Sequence, residues 1–309
     1  MKNIFSPLYT SSAKAYYSAI HSSNPDHKSK ILQFDSEINN ELGLPNYIFG
    51  NLSQNVTSLE VSLDFFLQPA VTQELDLEKS QYKKARNLLS SFLGAHQSIN
   101  INFLFIENAV NAIEESLLSF GLQPSNKYFS VIKVGADMDK YKTSIRKSYK
   151  SLVNWGMKNL EIKIMNSESL NRENFLDFKK LHLQASGRQT RSDESWDRQY
   201  DAIQNNHAFA ILGYLDGRLE TGGLFFTDDR NCYYASSASN RALFDKGLMH
   251  SIIYSAVEYC MSNDFESIVL GDKVFDSLSD KKIIKISNFK SGFANEILNG
   301  RLYQGNIHN

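Results

Sequence analysis

The chain is poor in cysteine, with only Cys232 and Cys260 in 309 residues. Two thiols form no disulfide framework and no metal-ligand spacing, so nothing here requires an oxidising compartment. No apolar run approaches the roughly 18 residues of a membrane span. The opening MKNIFSPLYT lacks the apolar stretch of a signal peptide. These absences lead to the expectation of a cytoplasmic protein with no membrane span. Familiar catalytic signatures are missing too. There is no G-x-x-x-x-G-K-[ST] loop or dinucleotide fingerprint, no His/Cys/carboxylate set at metal spacing and no G-x-S-x-G elbow. Acid–base positioning fits the remaining residues better than metal or covalent chemistry.

What is present is an ordinary globular composition, 42% hydrophobic and 22% charged, consistent with a real core. At about 150 residues per domain, the length suits two domains or one large one. The net charge of -1 is unevenly spread: residues 140–191 carry 12 Lys+Arg against 4 Asp+Glu, while both flanks are acidic. Such a block suits an anionic partner, or else a solvated lysine-rich helix face. The near-neutral total argues against non-specific coating of nucleic acid.

Hydropathy alternates as in strands at LEVSLDFFLQ (59–68), INFLFI (101–106), KYFSVIKV (127–134) and LEIKIM (160–165). Helical patterns fall at 80–93 and 107–120. One continuous helix is expected where Tyr141, Ile145, Tyr149 and Leu152 recur at helical spacing, with Gly156 as its C-terminal cap. Phe175, Phe178, Leu181 and Ala185 define the next helix, and Ser192 starts another as N-cap. Three strands follow as a meander, AFAILGYL (208–215), RLETGGLFFTD and NCYYASSA (231–238), the first pair joined by Asp216-Gly217. Gly222-Gly223 marks a bulge or a close backbone approach. A long helix from Gly247 and the buried strand SIVLGD (267–272) complete the pattern.

Several groups of residues are candidates for chemistry. HLQASGRQTRSDESWD (182–197) gathers His182, Arg188, Thr190, Arg191 and Trp196 between two helices. It reads as an anion-binding loop or as a solvated connection, and His182 borders an apolar stripe as a packed histidine also would. His250, Tyr254 and Glu258 share one helix face. There they form a polar flank, or place His250 beside a ligand drawn to the free N–H groups of a helix start. Asp272 stands at the sheet edge where ligands of α/β folds gather, or it caps or pairs locally. Phe289-Lys290 reads as a strand end with an amphipathic tail, or as a cleft lysine that stabilises an oxyanion or phosphate.

The order of helices, meander, long helix and buried strand resembles the core of GNAT acyltransferases, in which two central strands splay to admit an acyl donor. Those enzymes carry Gln or Arg, two spacers, then Gly-x-Gly or Gly-x-Ala. Here Arg241 is followed by only one glycine, Gly247, so acyl-CoA is not supported by its own motif. The run Ile145-Arg146-Lys147-Ser148-Tyr149-Lys150, the loop Ser186–Arg191, the Ser195-Trp196 helix, the strand end from Tyr234 through Ser236 and Ser237 to Asn240, and Phe289-Lys290 together resemble FemAB-like proteins. These are double-GNAT acyl- and aminoacyltransferases, some linked to cell-surface glycan assembly. The likeness is best over residues 131–295 and weak over the first 130.

The resemblance implies an α/β fold with mixed sheets and tandem GNAT-like domains, a degenerate one over 1–135 and an acyltransferase domain over 136–309. It implies metal-free transfer of an acyl or aminoacyl group onto an amine through a tetrahedral intermediate, without a tightly bound cofactor. The co-substrate would be acyl-CoA, an acyl carrier protein or aminoacyl-tRNA. The acceptor would be a phosphorylated, nucleotide-linked or lipid-linked sugar. Lys290 would stabilise the oxyanion, with Asp272, His250 or the substrate's own phosphate removing the amine proton. Arg146, His182, Arg188, Thr190, Arg191, Trp196, Tyr234, Ser236, Ser237, Asn240 and Phe289 would bind donor or acceptor. A non-catalytic module that kept the shape and lost the motif is the alternative.

Overall fold

A computed structural model describes residues 6–22, 27–33, 49–55, 61–66, 98–105, 112–276 and 279–308. In chain order the elements are α1 (Ser11–Ser22), β1 (His27–Gln33), β2 (Phe49–Asn55), β3 (Val61–Phe66), β4 (Ser98–Phe105), α2 (Ala112–Ser119), β5 (Pro124–Lys133), α3 (Met138–Ser144), α4 (Lys147–Asn159) and β6 (Glu161–Met165). Then come α5 (Arg172–Ser186), α6 (Asp193–Gln204), β7 (Ala208–Leu215), β8 (Arg218–Thr227), β9 (Asn231–Ser239), α7 (Leu248–Ser262), β10 (Ser267–Lys273), α8 (Lys281–Ser291) and β11 (Glu296–His308). A 3-10 turn, Arg241–Lys246, links β9 to α7. Among the described residues, no helix is long and apolar enough to cross a membrane. The helix expected at 80–93 lies outside the described residues.

The chain forms two compact units. One comprises residues 1–3, 17–127 and 299–309, and the other 4–16 and 128–298. Each is assembled from non-contiguous segments, which a single boundary at 135 does not describe. In the first unit β1, β2 and β3 run antiparallel, β3 pairs parallel with β4, and β11 returns antiparallel along β4. On α2, the fully buried carboxylate of Glu114 takes a bidentate bond from Arg301, at 2.7 Å to Nε and 2.9 Å to Nη2. A buried charge is tolerated when it is paired in this way.

The second unit repeats that strand pattern on a larger scale, in the order β5-β10-β9-β8-β7-β6. The sheet is antiparallel throughout except where β9 meets β10. The meander is as expected: Asp216 (φ 50°) and Gly217 (φ 75°) both take the positive φ of a tight hairpin turn. Gly222 and Gly223 explain themselves by the layers on either side. A Cβ on Gly222 would come within 3.0 Å of Phe178 on α5, and one on Gly223 within 3.1 Å of Ile252 on α7. Helices therefore press on both faces of β8. One face carries the core of Ile145, Tyr149, Val153, Ile252, Ile253, Ala256 and Phe293; the other holds Phe175 and Phe178 against Trp196. Cys232 and Cys260 are free thiols buried side by side, with Sγ atoms 3.3 Å apart.

Three sequence expectations are corrected. The single helix through Tyr141 and Tyr149 is two, α3 and α4, because Ile145 adopts extended and Arg146 non-helical backbone angles. That break lets the Arg146 N–H donate to Gly292 O at 2.8 Å. Gly156 is not a cap but lies inside α4, where a Cβ would stand 1.9 Å from Ser251 Oγ and 2.8 Å from its Cβ. It sets how closely α4 and α7 approach. The strand end proposed around Phe289-Lys290 is the helix α8.

Gly156→Ala tests that approach. Alanine is the better helix former by about 1 kcal/mol, yet overpacking is expected to win and lower stability by about 1–3 kcal/mol. An unchanged denaturant midpoint would show that α4 and α7 separate freely.

Candidate functional site

The cleft begins where two parallel strands stop pairing. β9 and β10 share only the pairs Asn231–Ser267, Cys232–Ile268 and Tyr233–Val269. Beyond them, β9 bulges against β8 between Tyr234 and Ser236, and β10 bulges against β5 between Val269 and Gly271. Bulges bend a strand and increase its twist, so each bends at the point where its partner leaves. Lys290 reaches into the opening from α8. A Cβ on Gly271 would lie 2.7 Å from Lys290 Nζ, and Gly271 takes φ 106°. The positive φ favours glycine here, and a Cβ would also press on the flexible end of Lys290. The ammonium also lies 5.7 Å from the centre of the Tyr234 ring. Burial pushes the Lys290 pKa below its ordinary value, and the Asp272 carboxylate opposes that shift. No ion pair joins Lys290 to a described carboxylate.

A cavity of about 730 Å³ opens from this point. Its walls are β9 from Tyr234 to Ser239, the 3-10 turn with Phe244, the start of α7 with His250, and α8 with Ile286, Phe289 and Lys290. His250 Nδ1 sits 2.8 Å from Gly247 O. A carbonyl oxygen only accepts, which assigns the proton to Nδ1 and leaves a lone pair on Nε2. That Nε2 is buried and has no hydrogen-bond partner. The ring is held edge-on by Tyr149 at 4.4 Å and Phe289 at 5.1 Å, with Phe293 at 5.5 Å. Burial lowers the His250 pKa, the Gly247 carbonyl raises it, and the Arg146 charge lowers it further. The net effect favours the neutral ring.

His182 and Arg191 line the same cavity. Arg191 Nη1 donates to His182 Nε2 at 3.0 Å and to Ser236 Oγ at 2.5 Å. Its guanidinium lies 5.6 Å from the Trp196 ring. The pKa of His182 falls to about 4, first through burial and then through the Arg191 charge. Arg191 is therefore fixed by neutral acceptors and an aromatic face, with no described carboxylate paired to it. Arg188 and Thr190 face a smaller cavity of about 280 Å³ behind the His182–Arg191 wall, which Trp196 also lines.

Other expected site residues have structural partners. Arg146 donates to Tyr149 Oη at 3.2 Å and to Asn288 O at 3.0 Å, joining α4 to α8. Asn240 caps the 3-10 turn through Ala242 N at 3.0 Å and donates to Glu220 at 2.7 Å. Ser237 lines the cavity and bonds to Tyr234, whose pKa burial pushes up to about 12 while that bond opposes the rise. Asp272 is exposed and lies within β10, not beyond it. Sequence reasoning missed Gly271, Phe244 and Ile286. A lone glycine in the buried run SIVLGD was the readable sign of the first, since strand glycines mark bulges and close approaches. The other two are ordinary apolar residues with no local signature.

No protein-family model matches the sequence, and no curated protein does. Solved structures do. A crystal structure of FemX matches with TM-score 0.62 at 13% identity, covering 96% of this chain and 92% of that one. The C-terminal domain (DUF2156) of a proposed lysylphosphatidylglycerol synthetase from Agrobacterium fabrum matches with TM-score 0.57 at 10% identity, covering 82% and 80%. A Bacteroides thetaiotaomicron protein of unknown function matches with TM-score 0.57 at 9% identity, covering 98% and 91%. The likeness is one of fold: the chain has a FemX-like mixed α/β architecture, and the resemblance to FemAB-like proteins holds at that level.

The His182–Arg191 contact carries a pH signature. A folded-state pKa near 4 against an ordinary 6.5 means the unfolded chain takes up a proton first as pH falls. The stability present above pH 6.5 should therefore decline between about 6.5 and 4 and level off below. The ring is partly solvated, so a loss of about 1 kcal/mol is expected. His182→Gln keeps an acceptor for Arg191 and should flatten that part of the unfolding profile. An identical profile would place His182 outside the linkage.

Proposed function

We propose that the protein transfers an acyl or aminoacyl group from an activated donor to an amine. The observation that carries this reading is the half-buried Lys290 ammonium over Gly271, where β9 and β10 part, at a cavity whose lining includes His250, the Nε2 of which is buried without a hydrogen-bond partner. In the step, the amine nitrogen of the acceptor attacks the donor carbonyl carbon and forms the new C–N bond. The carbonyl electron pair moves to oxygen, and the Lys290 ammonium stabilises that oxyanion in a site that excludes most water. His250 Nε2 accepts the amine proton. Collapse of the intermediate expels a thiolate or ribose alkoxide, which takes the proton back.

The same chemistry accepts an acyl-CoA, an acyl carrier protein or an aminoacyl-tRNA. The place where a coenzyme pyrophosphate loop would lie is filled by the 3-10 turn capped by Asn240, which favours a donor recognised elsewhere. Lys140, Lys147 and Lys158 on α3 and α4 are exposed and pair with no described carboxylate, which favours aminoacyl-tRNA. Arg191 suits an anionic group on the acceptor, such as the phosphate of a nucleotide-linked or lipid-linked sugar. A binding module on the same fold would show affinity without turnover.

Lys290→Met should lower kcat by about 10²–10³ with the thermal midpoint retained, and His250→Asn should lower it by a comparable factor. A thermal-shift screen with acetyl-CoA, longer acyl-CoAs, UDP-sugars and total tRNA identifies the donor class, because a ligand of the folded state raises the midpoint. Full turnover by Lys290→Met with the donor so found would sink the oxyanion role.

A further inference from the structure

The mouth of the cavity does not look like a surface meant for water alone. Phe244 of the 3-10 turn is 80% exposed, and Ile283 and Ile286 of α8 are 51% and 45% exposed. The two isoleucines stand at i and i+3, so they share one face of the helix. Around them are Arg241, Lys281, Lys282 and Lys285, all exposed and none paired with a described carboxylate. The nearby acids are committed, Asp245 to Lys246 at 3.4 Å and Asp280 to capping Lys282 N and Ile283 N. Lys281 and Lys282 open α8, whose first turn carries no acidic residue. Cations there oppose the helix dipole, so helix stability does not account for them. An apolar ridge ringed by cations is the pattern of a helix that lies in a membrane interface.

We propose that this rim docks on an anionic bilayer surface. Phe244, Ile283 and Ile286 enter the headgroup boundary, the cations meet lipid phosphates, and an amphipathic acceptor passes into the cavity. Phe244, Lys285 and Ile286 also line the cavity, so a lipid headgroup reaches Lys290 without its chain crossing water. A second copy of this chain fits the ridge poorly, because an isologous contact would set like charges against each other. The proposal rests on the acyl-transfer reading and names the source of the acceptor.

The test is co-sedimentation of the full chain with vesicles of phosphatidylcholine alone and of phosphatidylcholine mixed with phosphatidylglycerol. Partition onto the anionic vesicles only, weakened by salt, is expected. Lys281→Gln with Lys282→Gln should weaken it about 25-fold, since each lysine near an anionic surface contributes about fivefold. Ile283→Ser should weaken it further. None of these three positions lines the cavity, so turnover of a water-soluble amine acceptor should be unchanged. No partition, equal partition on both vesicles, or unaltered partition of the variants would overturn the docking. So would loss of a dimer in the variants without vesicles present. Turnover without partition sinks the docking alone, whereas partition without turnover of any acceptor sinks the transfer reading alone.

Discussion

The site depends on β9 and β10 ceasing to pair after Tyr233 and Val269. Parallel strands buried between helices ordinarily keep every backbone group in the ladder. Here both strands bulge just past the last shared pair, and helices on either face hold the rest of the sheet rigid. The result is a wedge inside an otherwise continuous layer, opening onto the cavity beside it. Gly271 takes a positive φ at this point, and a Cβ there would press on the end of the Lys290 side chain.

Burial then sets the charge state of each group in the cleft, and the neighbours decide how far. Lys290 is destabilised as a cation by desolvation and supported by Asp272. His250 is driven toward the neutral form by the same burial, while the Gly247 carbonyl selects its tautomer. The two effects together leave Nε2 unprotonated. Arg191 is oriented by groups that carry no negative charge of their own.

The helix that carries Lys290 is held by contacts far from the chemistry. Arg146, at the break between α3 and α4, bonds backbone oxygens at Asn288 and Gly292. Tyr149 packs against Phe289 and Phe293, and Gly292 must lack a side chain because a Cβ would meet the Tyr149 ring at 2.3 Å. The same Tyr149 ring braces His250. The proposed base and the proposed oxyanion lysine thus share one aromatic support, so disturbing it should affect both.

Much of the second unit was legible because its signals are local. The Asp216-Gly217 turn, the N-cap at Ser192, the stripe Phe175–Phe178–Leu181 and the alternation of the meander each involve residues a few positions apart, where steric rules and hydropathy decide the outcome. Lys290 and His250 could be named as candidates by residue type and order, but their arrangement was not legible. Gly156 shows why: locally it reads as a helix end, and only Ser251 of another helix reveals it as a contact point. Phe244 and the Ile145–Arg146 break are alike in this respect. The sequence by itself determined the meander, the long helix and buried strand after it, and the chemical types available. Tertiary structure alone decided which strands part, which lysine enters the cleft and which histidine nitrogen lacks a partner, because those depend on packing between residues distant in the chain.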